Sequence, residues 1–171
     1  MRRVLATCLF FASLCAAPAL YADEKPACEQ FAWSLADEKA WFGDPDITNR
    51  TSGDNTESLA DGAFSIALKP ESAVTFLLPP EGKPKEGAGN GAIVTFAMVP
   101  AAGRYQVTLS DEAWIDMIQD GKYAASVEHS SVKTCDGLRK SVRFDLAPGA
   151  LTLQLSHSSA TVLKVAVKHI P

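Results

Sequence analysis

Trp114 and Asp116 stand two residues apart in the stretch AWIDMIQDG, residues 113–121. On an extended chain that spacing puts both side chains on one face. An aromatic plate beside a carboxylate suits a sugar, whose ring lies against the indole while the acid accepts hydroxyl protons. Asp120 closes the same stretch. Arg139, Lys140 and Arg143 form a small basic group able to hold an anion. The candidate binding residues are therefore Trp114, Asp116, Asp120 and Arg139. A second reading stays open, in which Trp114 packs under the loop 79–91 or a helix at 35–42. Asp116 then takes a hydrogen bond from Arg139, Arg143 or a loop backbone.

Other chemistry finds less support. His129, His157 and His169 show neither HxH nor HxxxH spacing, whereas an iron oxygenase of the cupin kind needs two or three converging histidines and a carboxylate. Loop 44–55 carries Asp44, Asp46 and Asp54, hard oxygen donors that suit calcium, though not at DxDxDG spacing. Calcium is the one cofactor these residues suggest. No GxSxG elbow occurs, and the neighbours His129-Ser130 and Ser156-His157 point to opposite faces of any strand. No catalytic residue is assigned.

The elements that position these residues read as strands. Period-2 alternation runs through Phe64, Ile66 and Leu68, then Val74, Phe76 and Leu78. It resumes at Val94, Phe96 and Met98, and again at Tyr105, Val107 and Leu109. After residues 113–119 it returns at Val142, Phe144 and Leu146, at Leu151, Leu153 and Leu155, and at Leu163, Val165 and Val167. Residues 79–91, PPEGKPKEGAGNG, predict a long loop, and residues 44–55 a polar one. Phe31, Trp33 and Leu35 predict a short strand, followed by one or two helical turns over residues 35–42. About eight strands with turn signals at ten-residue spacing predict an all-β antiparallel sandwich, jelly-roll-like, with one short N-terminal helix.

Compartment follows from the ends and the cysteines. Arg2 and Arg3 precede an apolar run from Val4 to Ala17 and the small-residue stretch CAAPALYA, so residues 1–22 predict a Sec-type signal peptide. Residues 23–171 then form one sandwich domain, periplasmic or secreted. The run is too short for a membrane span of ~20 residues. Removing Arg2 and Arg3 leaves 14 basic against 20 acidic residues, a net charge of −6. That balance disfavours nucleic acid and anionic lipid, which need concentrated positive surface. Cys8 and Cys15 leave with the signal, so Cys28 and Cys135 predict a single disulfide in an oxidising compartment.

The segment VTFAMVPAAGRYQVTLSDEAWIDMIQDG resembles strands of pre-peptidase C-terminal domains and of carbohydrate-binding modules with jelly-roll sandwiches. The chain from Cys28 through Trp33 and the WID triplet to Cys135 also looks like a group of small, uncharacterised secreted proteobacterial proteins. Some of those carry the name homogentisate dioxygenase, chemistry that the histidine spacing here does not match. The strand pattern, the single expected disulfide and the lack of a catalytic constellation predict an exported, non-catalytic module that binds a glycan or an envelope protein and works as a monomer. The alternative is a metal-dependent jelly roll, cupin-like or calcium-binding. A third reading is an assembly protein that pairs through a sheet edge.

Overall fold

The computed structural model describes residues 26–83 and 89–170; the leader expected over residues 1–22 lies outside them. Among these residues twelve strands run in chain order. They are β1 (Thr48–Thr51), β2 (Asp54–Ser58), β3 (Gly62–Ala67), β4 (Lys69–Pro70), β5 (Asn90–Val99) and β6 (Gly103–Leu109), then β7 (Trp114–Gln119), β8 (Lys122–Tyr123), β9 (Ser126–Ser131), β10 (Lys140–Leu146), β11 (Gly149–Ser158) and β12 (Val162–Ile170). One sheet has the order β1-β3-β12-β6-β10-β9, the other β2-β5-β11-β7-β8, with β4 also on β5. Pairing is antiparallel except for β1 with β3 and β2 with β5.

Eight of these strands make the frame. The set β3-β12-β6-β10 faces β5-β11-β7-β8, and the chain crosses between sheets in the order β3, β5, β6, β7 and β8, β10, β11, β12. That winding is a jelly roll. The apolar positions read from the alternation fill the space between the sheets: Phe64, Ile66, Val94, Phe96, Val107, Leu109, Met117, Val142, Phe144, Leu153, Leu163 and Val165 are all buried there. The all-β sandwich with one short helix, α1 (Ala36–Phe42), is as the sequence predicts.

Three local expectations are corrected. Residues 31–35 form no strand, with bends at 31–33, because their large side chains pack inward from an irregular chain instead of pairing. Loop 44–55 contains β1 and β2, which turn the corner from one sheet to the other. Residues 74–78 alternate but join no sheet; Val74, Phe76 and Leu78 face inward while Leu77 is 54% exposed. This segment is an extended strap. Alternation reports an extended chain lying on an apolar layer, and a sheet's outer face provides one as well as its inner face does.

Both outer faces are covered, which is why β6 and β7 are buried on two sides. Residues 27–42 lie over the first sheet, with Phe31, Leu35 and Phe42 packed on Val132, Leu138 and Ala166. The polar groups trapped beneath are mostly bonded: the Trp33 indole N–H donates to Ser141 (3.2 Å), and Ser141 meets Thr108 (2.9 Å). Glu38, fully buried, accepts from the Gln106 amide, whose oxygen in turn accepts from Arg143 (2.9 Å). The disulfide Cys28–Cys135, with Cα atoms 4.7 Å apart, pins this cap to the β9–β10 loop. The strap covers the second sheet in the same way. Gln154, fully buried on β11, accepts from the Leu77 and Leu78 N–H groups (2.6 and 3.2 Å) and donates to the Leu78 carbonyl (3.0 Å).

Candidate functional site

The two sheets do not end together. Beyond β7 the second sheet continues only as β8, which pairs two residues, Ile118 with Tyr123 and Gln119 with Lys122. The first sheet goes on one full strand past β10, to β9. A notch of about 170 Å³ results, walled by Trp114, Ile115 and Asp116 of β7. Val142 and Phe144 of β10 form its floor, and Ser126, His129 and Lys140 line its far side, with Glu81 at the mouth. Opposite residues on antiparallel neighbours project to the same side. His129 stands opposite Val142, and Ser126 opposite Phe144, so β9 turns polar side chains toward the interior. An apolar residue there would have no strand above it to pack on.

Asp116 is 3% exposed and lies on the outer face, under the strap. Its Oδ1 accepts the Trp114 indole N–H at 2.7 Å and its Oδ2 accepts the Glu81 N–H at 3.3 Å. Burial raises its pKa, against the opposing effect of those two donors. The partner is thus a loop backbone, one of the expected alternatives. Trp114 is 39% exposed, and its ring is contacted by Gly82 and by Lys140. A Cβ on Gly82 would lie 2.6 Å from the indole Cγ, so glycine is what lets the strap's backbone rest on the ring. The Lys140 Nζ stands 5.0 Å from the ring centroid and donates to the Ala113 carbonyl at 3.1 Å.

The strap holds its place through further contacts. Tyr123 donates its phenol O–H to the Pro79 carbonyl. The His157 ring bridges the strap's two ends, Nε2 to the Gly82 carbonyl (2.9 Å) and Nδ1 to Glu71 (3.1 Å).

Among the residues expected from sequence, the fold brings Trp114 and Asp116 together. Asp120, exposed at φ 50°, makes the β7–β8 turn with Gly121 at φ 69°, a left-handed dipeptide that matches strand twist. Arg139 is paired with Glu112 and does not line the notch. Asp44 accepts the Asp46 N–H (2.9 Å), and Asp54 accepts the Thr51 N–H and hydroxyl (both 2.9 Å). Among the described residues no three or more His, Cys, Asp or Glu gather as metal ligands. The sequence did not point to Glu81, Ser126 or His129 as notch residues, and of the basic group Arg139, Lys140 and Arg143 it is Lys140 that lines the notch. The one signal for Ser126 and His129 was SVEHSS, an extended stretch between turn signals whose apolar residue, Val127, faces outward.

No family model matches this chain, and no curated protein matches it. Among solved structures it is similar to the pre-peptidase C-terminal domain of collagenase from Bacillus anthracis, at 14% identity with a TM-score of 0.39, covering 71% of this chain and 100% of that one. No described helix is long and apolar enough to cross a membrane.

Proposed function

We propose that this chain is an exported, non-catalytic binding module whose ligand sits in the notch between β7 and β9. The observation that supports it is the unequal reach of the two sheets at this edge, a full strand β9 on one and the two-residue β8 on the other. The interior residues Ile115, Val142 and Phe144 line an opening whose rim carries Glu81, Asp116, His129 and Lys140. An apolar recess with a few convergent polar groups is the usual form of a recognition site. Residues 1–22 would act as the leader. The disulfide fits an oxidising compartment.

Between the two ligand classes, the site favours a protein over a glycan. Gly82 packs against the Trp114 ring and the Lys140 ammonium stands 5.0 Å from its centroid, so part of the plate that a sugar ring would use is already taken. Ser126→Trp, which fills the notch from an exposed position, is the test variant. Glycan and peptide arrays probed with wild type and variant should show ligands that wild type binds and Ser126→Trp does not. Identical profiles would remove the notch from the binding surface.

A further inference from the structure

Resting on the reading of the notch as a binding site, we propose that its occupant is an extended peptide that adds a strand to the open edge of β7. The notch is the vacant remainder of a strand position. β8 begins the line beside β7, bonds the Ala124 N–H to the Met117 carbonyl (2.7 Å), and then the chain leaves to form β9 in the other sheet. At the other end of the edge, Lys140 occupies the Ala113 carbonyl.

Between these two points lies Ile115. Carbonyls two residues apart along a strand project to the same side, so the Ile115 peptide groups face the notch, as those of Ala113 and Met117 do. Ile115 itself lines the notch, and no described strand pairs with it on that side. A strand laid there bonds the Ile115 N–H and C=O and continues the ladder that β8 starts.

The side chains of such a peptide have determined surroundings. Those projecting inward meet Val142, Phe144 and Ala124, a recess that suits one small apolar residue. Those projecting outward lie beside Asp116 and Glu81, two acids on the strap side, which favour a basic or hydroxyl residue next in sequence. The field of these acids is already felt nearby. The Tyr123 phenol has a raised pKa, from desolvation first and then from Asp116 and Glu81. Main-chain bonds supply affinity and alternate pockets supply selectivity in strand addition generally.

The test uses a display library of random octapeptides, selected on the wild-type chain and counter-selected on Ser126→Trp. Enriched peptides should carry a small apolar residue flanked by Lys, Arg, Ser or Thr. Binding of a selected peptide should slow exchange of the Ile115 amide proton at least tenfold. N-methylating the peptide at alternate amides should weaken Kd tenfold or more at one parity and leave it unchanged at the other. Peptides that bind without protecting Ile115, or tolerate N-methylation at both parities, overturn strand addition while leaving the notch as the site. A library with no enrichment, alongside glycans that bind wild type but not Ser126→Trp, overturns the peptide alone. No ligand of either class lost in Ser126→Trp overturns both readings.

Discussion

Replacing Cys28 and Cys135 together by alanine tests how the N-terminal cap belongs to the fold. The bridge closes a loop with a sequence separation of 107. In the chain-entropy treatment a loop of that length restricts the unfolded chain by about 16 cal/mol/K, or about 4.8 kcal/mol at 25 °C. The native side should change little, because the cap has other anchors. Trp33 bonds Ser141, the Ala32 N–H donates to Ser130 (3.0 Å), and Asp37 pairs with Lys168 (2.6 Å). Alanine at the buried position 135 leaves no unsatisfied hydroxyl in the cluster of Phe31, Leu35 and Leu138. Urea unfolding followed by tryptophan fluorescence should therefore show a loss of about 4–5 kcal/mol, a midpoint lower by about 2 M, and a steeper slope as the uncrosslinked chain expands. Domains of this kind are stable by about 5–15 kcal/mol, so the variant should be marginal. A loss below about 1 kcal/mol with unchanged slope would refute the reasoning. Rapid proteolysis within residues 26–43 in that case would show that the cap detaches by itself and that the sandwich folds without it.

Two further perturbations address the strap and the buried acid. Gly82→Ala places a Cβ 2.6 Å from Trp114 Cγ and 2.9 Å from His157 Cδ2, so the strap must lift. Overlap of this kind costs about 1–3 kcal/mol, and protease cleavage around residues 79–83 should accelerate; an unchanged cleavage rate would mean that the strap does not rest on the ring. Asp116 binds its proton more tightly in the folded state because burial disfavours the carboxylate. Its contribution to stability is therefore present below the unfolded pKa and lost as pH rises through the raised folded value. Asp54 and Asp145, lowered by hydrogen bonds from Thr51 and Arg104, act in the opposite sense and weaken the fold as pH falls. Asp116→Asn should flatten the decline on the rising-pH side in a series of urea midpoints. A decline equal to that of wild type would assign it to another group.

Much of the frame was legible because burial between two sheets imposes a period of two. Phe64-Ile66, Val94-Phe96, Leu151-Leu153-Leu155 and Leu163-Val165-Val167 all fall on the interior face. The face assignment within AWIDMIQDG was equally direct: Ala113, Ile115 and Met117 turn to the core, and Trp114, Asp116 and Ile118 do not. Less of the site was legible. Glu81, His129 and Lys140 come from a loop, a polar edge strand and a strand start, and no spacing along the chain relates them.

Sequence alone determined the class of fold, the faces of its principal strands and the disulfide, since the two cysteines outside residues 1–22 have one intramolecular pairing. Tertiary structure decided which extended segments pair. Val74-Phe76-Leu78 alternates as a strand does but lies across a sheet, while polar Ser126–Ser131 joins one. The reason is physical. Side-chain pattern records what each face of a chain touches, whereas pairing depends on which backbone edge is vacant alongside, and this is settled only when the two sheets close on each other and one reaches further at an edge.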